Sequence, residues 1–173
     1  MNRNNPFRPS LWRTALTAVT ADDLRRLGAK AVALDADNTS SLDGTTDPIP
    51  GTREWIRGMQ EAGFPVILVS NAAVERAEKL AGNYGIPAVP LAGKPSPKGC
   101  RNAAERLGIV PSELVMIGDQ IQTDILGAGL AGCPSIYVEP YARERRMPVY
   151  FFVKRTLDKL LIRLMNLDRP HTN

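Results

Sequence analysis

Asp35 and Asp37 stand directly after the apolar run Ala31-Val32-Ala33-Leu34. Along an extended chain alternate residues point the same way, so the two carboxylates and the backbone between them can face one site at a strand end. One carboxylate can then attack an electrophile while the other moves a proton, provided a divalent cation quenches their repulsion. Asp, Asn and Thr are also ordinary turn residues. By itself Asp35-Ala36-Asp37-Asn38-Thr39 reads equally well as a solvated turn.

Three more polar clusters follow apolar runs further along the chain. Val66-Ile67-Leu68-Val69 ends in Ser70-Asn71, the run at 86–91 leads into Gly93-Lys94-Pro95 and then Lys98, and the run at 114–117 ends in Gly118-Asp119, with Asp124 beyond it. Each has an ordinary reading. Ser70-Asn71 suits a helix N-cap, the lysines suit solvated loops, Asp119 suits a turn, and Asp124 suits the first turn of a helix. The chemical reading gains its force from the expectation that all four clusters land on one face of one sheet.

The elements that must carry them follow from the pattern. Strands are expected at 30–34, 65–69, 86–91, 114–117 and 135–138, and helices at 52–62, 73–84, 97–107 and 122–131. Gly85 and Gly108 sit where two helices should stop, and Pro97 where one should start. Continuous apolar runs suit strands buried on both faces, and the β-α repetition implies an α/β fold with a doubly wound parallel sheet. Ligands of such sheets collect at the carboxyl ends of the strands. A helix is expected ahead of the first strand from the spacing of Leu11, Ala15, Leu16 and Val19, with Thr20-Ala21-Asp22-Asp23 capping a short further turn. Between Thr39 and Ser70 there is room for a loop, a helix and a strand. Between Asn71 and Lys94 there is room for a helix and a short strand. The site is therefore expected to be capless and open.

Composition narrows the chemistry. The chain fits one domain of 173 residues, with a core at about 28–140 and a tail at 141–173. At 43% hydrophobic and 23% charged it matches a soluble globular protein, and no apolar run approaches the ~20 residues that span a bilayer. The N-terminus lacks the apolar stretch of a signal peptide. Cys100 and Cys133 form no CxxC pair and suggest reduced thiols in a cytoplasm-like compartment. The single histidine, His171, lies at the end of the tail, so a Ser-His or Cys-His nucleophile system lacks its base unless the tail folds back. A histidine-rich zinc site is excluded, and a metal here should be a hard cation held by oxygen, which favours Mg²⁺.

Asp35-x-Asp37-Asn38-Thr39, Ser70-Asn71, Lys94-Pro95 and Gly118-Asp119-x4-Asp124 together resemble the four ordered motifs of haloacid-dehalogenase-superfamily phosphatases. The run Gly118–Gly127 also resembles the type IIIA, YqeG-like branch, whose members resemble phosphatidylglycerophosphate phosphatases of organelles. The resemblance implies a Rossmann-like fold and a Mg²⁺-dependent phosphomonoester hydrolase working through a phosphoaspartate. By the same resemblance Asp35 is the nucleophile and Asp37 the acid/base. Ser70 holds the phosphoryl oxygens, with the backbone N–H of Asn71 and the Thr39 region at the substrate. Lys94 neutralises charge, with Lys98 as the second candidate for that role. Asp35, the main-chain carbonyl of Asp37, Asp119 and Asp124 are implied as the metal site. Ser40 departs from the pattern, where an apolar residue usually follows the Thr. A second class, a non-catalytic phospho-regulated module, shares the sheet and a phosphorylatable Asp but places its acceptor after the third strand. Here the acidic pair follows the first apolar strand run.

The tail offers the remaining clue about partners. Residues 141–173 hold eight basic and three acidic side chains, a net +5 against +4 for the whole chain, so residues 1–140 carry −1 and the body is close to neutral. Val153, Leu157, Leu160, Leu161 and Leu164 form one stripe at helical spacing after Phe151 and Phe152, with Lys154, Arg155, Asp158, Lys159 and Arg163 away from it. Such a helix can dock on the protein's own sheet, or lie peripherally on the inner face of an anionic membrane. A phosphate-ester substrate is expected in either case, whether lipid or soluble, and nucleic acid is not the expected partner.

Overall fold

The structure, a computed structural model, describes residues 5–141, 149–165 and 167, the side chains of 149–155 excepted. In chain order its elements are β1 (Leu11–Arg13), α1 (Ala21–Arg26), β2 (Ala31–Leu34), α2 (Thr52–Glu61), β3 (Val66–Val69), α3 (Val74–Tyr84), β4 (Ala88–Val89), α4 (Lys98–Arg106), β5 (Leu114–Gly118), α5 (Leu126–Ala131), β6 (Ser135–Val138) and α6 (Val149–Leu164). Every residue of β2, β3, β5 and β6 is buried, as uninterrupted apolar strands between two helical layers must be.

All strands run parallel in the order β1-β6-β5-β2-β3-β4. The register sets the site. Leu34 is level with Leu68 on one side and Ile117 on the other, so the residues that follow each strand emerge together at the carboxyl edge. One core cluster packs between the sheet and α1, α2 and α3, including Leu34, Trp55, Ile56, Leu68 and Leu80. A second packs between the opposite face and α4 and α5, including Ile67, Met116, Cys100 and Ala128. Between Leu34 and Val66 the chain holds only a loop and α2, and between Val69 and Ala88 only α3. The site is therefore open on these two connections.

Several expectations need correction. The first apolar stretch is not a helix: Leu11–Arg13 is an edge strand paired with β6, followed by a single 3₁₀ turn at Leu16–Ala18. Pairing with β6 over three residues outweighs a local helical spacing that lacks caps. The short helix after it does form, with Thr20 and Asp23 making a reciprocal capping box. The strand at 86–91 shrinks to Ala88–Val89. The helix expected at 122–131 begins instead as a π-helical turn, Ile121–Ile125, in which the Ile125 N–H donates to the Gln120 carbonyl (3.3 Å). Gly85 ends α3 in the left-handed conformation (φ 66°), as its position predicts.

The tail helix docks, but not with the expected face. Leu161, Ile162 and Met165 pack with Ile121, Ile125, Tyr137 and Leu167. Asp158, placed by the sequence reading on the polar side, is buried and accepts a hydrogen bond from the Gln122 N–H (3.1 Å). Leu157, Leu160 and Leu164 remain exposed, beside exposed Lys159 and Arg163. The basic run at 142–146, the side chains of 151–155 and His171 lie outside the described residues. Among the described residues no helix is long and apolar enough to cross a membrane.

Candidate active site

At the end of β2 the chain stays hydrogen-bonded to its neighbour, the Asp35 N–H donating to the Ile117 carbonyl (2.9 Å), and this aims the Asp35 side chain across the sheet edge. Lys94, from the loop after β4, donates its Nζ to Asp35 Oδ1 and to Asp124 Oδ1 (2.7 Å). Asp35, Lys94, Asp119 and Asp124 are all buried, and carboxylate oxygens of Asp35, Asp119 and Asp124 lie within 4.8 Å of one another. Burial, and then the neighbouring Asp124 charge, push the Asp35 carboxyl up to about 7 despite Lys94. Burial works against the Lys94 ammonium too, but Asp124 and Asp35 outweigh it and hold its pKa above the ordinary lysine value.

The position of Asp124 depends on a glycine. A Cβ on Gly118 would collide with the Asp124 side chain, so only glycine lets that carboxylate lie against the strand end. The π-helical turn completes the fit: Asp124 Oδ2 accepts the Gln120 N–H (3.1 Å) while Oδ1 takes Lys94. An all-carboxylate oxygen donor set, buried at the sheet edge, suits a hard divalent cation.

Asp37 has a different environment. It lies on the outer side of the loop, half-buried, where Arg76 donates Nη1 to Oδ1 and Nη2 to Oδ2 (2.7 Å each) and the Gly44 N–H donates to Oδ1 (2.9 Å). Burial would raise its pKa, but the Arg76 and Gly44 hydrogen bonds outweigh burial and hold it below the usual carboxylate range. Arg76 also reaches the Thr45 carbonyl (3.3 Å), tying the segment after Ser41 to α3. The sequence reading missed Arg76. The available signal was a cation in the first turn of α3, against the helix dipole and at the catalytic edge.

Ser40, the departure from the family pattern, shapes the loop. Its Oγ donates to the Asp35 carbonyl (2.7 Å), and its own carbonyl accepts the Tyr84 hydroxyl (2.6 Å) and Thr52 Oγ1 (3.2 Å). An apolar residue here would leave the Asp35 carbonyl without that bond.

Ser70 is buried at the end of β3, and its Oγ accepts the Ala72 N–H (3.1 Å). Asn71 turns its side chain to the backbone of Lys94: Nδ2 donates to the Lys94 carbonyl (3.0 Å) and Oδ1 accepts the Lys94 N–H (2.8 Å). It thereby fixes where the lysine leaves the chain. Lys98 is exposed at the start of α4, outside the carboxylate cluster. Thr39 is buried. Asp35, Lys94, Asp119 and Asp124 are thus brought together, with Asp37 and Ser70 on the same edge.

The family model for haloacid dehalogenase-like hydrolases matches residues 8–132. The chain belongs to this family. It is 31% identical over 136 residues to the "Probable phosphatase YqeG" of Bacillus subtilis, covering 79% of each chain, and it is a phosphatase of that branch. It is also 29% identical over 143 residues to "Phosphatidylglycerophosphate phosphatase 1, chloroplastic" of Chlamydomonas reinhardtii, spanning 73% of this chain and only 53% of that longer one. The cobalt-bound deoxy-D-mannose-octulosonate 8-phosphate phosphatase of Haemophilus influenzae shares the fold at 13% identity, with a TM-score of 0.52 over 79% of this chain and 89% of that one.

Proposed function

We propose that this phosphatase hydrolyses phosphomonoesters through a phosphoaspartate on Asp35, with Mg²⁺ held by Asp35, Asp119, Asp124 and the main-chain carbonyl of Asp37. The observation that carries this reading is the buried cluster in which Lys94 bridges Asp35 and Asp124 next to Asp119. Phosphoryl transfer depends on positioning and on cationic stabilisation of charge, and this edge supplies both. Asp35 Oδ attacks phosphorus as the ester oxygen leaves, and Asp37 provides that oxygen with a proton. Asp37 then takes a proton from the water that opens the acyl phosphate, releasing inorganic phosphate and restoring Asp35. Ser70 Oγ already accepts a backbone hydrogen bond, so its proton is available to a phosphoryl oxygen. Lys94 keeps its charge beside the attacking carboxylate. When bound, the metal would neutralise charge on the phosphoryl group and on Asp35.

The Arg76 pair suits one half of the work assigned to Asp37. An ionised Asp37 is ready to act as a base, whereas protonating a leaving group requires it to part from Arg76.

For the substrate, the preferred reading is a lipid phosphate of the phosphatidylglycerophosphate type, met at an anionic membrane surface. The open site, the exposed Leu157, Leu160 and Leu164 beside Lys159 and Arg163, the basic tail and the likeness to the chloroplast enzyme support it. A soluble phosphate ester is the second reading, favoured by the docking of the same helix on the protein's own body. Phosphate release should be assayed with Mg²⁺ or EDTA on lipid phosphates in mixed micelles and on soluble esters. Faster turnover of the lipid, and binding to anionic vesicles that Leu160→Ser with Leu164→Ser weakens, are expected. Turnover of soluble esters alone, with no vesicle binding at low salt, would rule out the lipid.

A further inference from the structure

The loop from β4 to Lys94 contains a residue that the fold itself does not favour. Leu91 holds a left-handed backbone, φ 47°. Among the described residues every other position with a positive φ is a glycine, save Asn38. A bulky side chain is disfavoured there because its Cβ crowds the following carbonyl oxygen. Leu91 is also 65% exposed, so little burial offsets the strain.

The loop, not the leucine, imposes this conformation. The Leu91 N–H donates to the Ala72 carbonyl (3.1 Å), and the Ala92 N–H to the Ser70 carbonyl (3.0 Å). Ala92 is buried in the second core cluster, and Gly99 leaves room for it: a Cβ on Gly99 would lie 2.8 Å from the Ala92 Cβ. Asn71 then brackets the backbone of Lys94. None of these anchors uses the Leu91 side chain, and a glycine or asparagine at 91 would meet them with less strain. Strain kept beside a catalytic segment points to a use outside the fold.

The place of Leu91 indicates that use. β4 lies two strands from β2, with β3 and Ser70 between them, so Leu91 stands about 10 Å to the side of Asp35 at the usual strand spacing. Val74, the first residue of α3, is exposed at the same edge. Beyond β5, on the other side of Asp35, α6 packs on Ile121 and Ile125 and leaves Leu157, Leu160 and Leu164 exposed. The open site thus has exposed apolar side chains on both flanks. A leucine and a valine offer an ion or a hydroxyl nothing, and only apolar surface gains by covering them. A small polar ester held at Asp35 ends short of Leu91, whereas a hydrocarbon chain leading away from the phosphate past Ser70 reaches it. We propose that Leu91, with Val74, is the specificity-determining contact for the acyl portion of a lipid phosphate whose phosphoryl group lies at Asp35. The proposal rests on the lipid reading above.

The test uses the full chain with monomeric ethyl and n-octyl phosphate in detergent-free buffer with Mg²⁺, so that α6 has no surface to bind. In wild type kcat/KM should be higher for the octyl ester, by up to about fourfold for each methylene that is buried. Leu91→Gly should lower the octyl-to-ethyl ratio about tenfold, the scale of a lost apolar contact, and Leu91→Met should restore most of it. The urea midpoint of Leu91→Gly should not fall, since glycine suits the left-handed backbone. A ratio near one in wild type, or an unchanged ratio in Leu91→Gly, overturns the proposal. A lower midpoint assigns the leucine to the fold, and a dimer in sedimentation velocity that Leu91→Gly dissociates assigns it to a second copy; either result overturns the proposal too. Octyl preference without turnover of phosphatidylglycerophosphate in mixed micelles would overturn the lipid as the source of the chain. Binding is read separately in Asp35→Asn, where octyl but not ethyl phosphate should shift the Leu91 methyl signals in ¹³C NMR spectra, saturably. Such shifts without ester turnover by wild type would leave the contact standing and defeat the phosphatase mechanism. Turnover without the shifts would do the reverse.

Discussion

The two sides of the catalytic loop hold carboxylates only two residues apart in opposite states. On the inner side Asp35 is buried with Lys94, Asp119 and Asp124, and its pKa is pushed up. On the outer side Asp37 is gripped by Arg76 and the Gly44 N–H, and its pKa is held down. Similar residues thus receive opposite proton affinities from their surroundings. The inner side is a buried charge cluster at the carboxyl edge of the sheet. The outer side is a partly exposed pair on a loop and a helix turn.

That contrast should break most sharply at Lys94. Lys94→Ala removes the only cation the structure bonds to the buried Asp35 and Asp124 among the described residues. Leaving buried charge uncompensated costs about 3–5 kcal/mol, and loss of a charge-stabilising group costs about 10²–10³ in kcat. Chemical denaturation and phosphate release check both, and added Mg²⁺ should recover part of the stability but not the rate.

Gly118→Ala tests the inner side without touching a charge. The new Cβ must push Asp124 off Lys94, and overpacking of this kind costs about 1–3 kcal/mol. Activity should fall and the Mg²⁺ concentration needed for half-maximal rate should rise in a metal titration.

Arg76→Ala should act in the opposite way, with little effect on stability and a clear effect on pH. The pair is about a quarter exposed on each side and Asp37 keeps the Gly44 N–H, so its loss should cost less than loss of the fully buried Lys94. Without Arg76, Asp37 loses the cation that keeps it ionised, and its pKa rises. The acid limb of the kcat profile should therefore move to higher pH, while Arg76→Lys should restore part of the shift. A profile that does not move would separate Asp37 from the base step.

The smallest effect is expected outside the site, at Asp23. Burial raises its pKa, but the Arg13 hydrogen bonds, the Thr20 N–H and the Arg13 charge outweigh it and lower it below the ordinary value. A depressed folded-state pKa contributes stability above the unfolded value near 3.8, lost as pH falls below that value through the folded one. Urea midpoints measured down from pH 5 should fall more steeply in wild type than in Arg13→Ala.

How far these features could be read in advance depends on whether their causes are local. Asp35, Asp37, Ser70, Lys94, Asp119 and Asp124 follow apolar runs, and the parallel sheet brings such ends to one edge, so spacing along the chain made them candidates and the family resemblance implied their roles. Arg76 meets Asp37 across 39 residues of sequence, and no local pattern states that pairing. Asn71 likewise serves the backbone of Lys94 across 23 residues. The edge strand β1 exists because β6 offers it hydrogen bonds, while its own residues share the spacing of a helix. The tail was read as one apolar stripe, but only the packed fold shows that Leu161 turns inward and Leu157, Leu160 and Leu164 turn out.

The central claim is that Asp35 attacks phosphorus while Asp37 handles protons. Rapid acid quench during turnover with Mg²⁺, followed by peptide mass spectrometry, tests it directly. A phosphoryl adduct on the peptide containing Asp35 is expected in wild type, with more of it in Asp37→Asn, where the water step slows, and none in Asp35→Asn. Undiminished turnover in Asp35→Asn, or an adduct on another residue, would contradict the account.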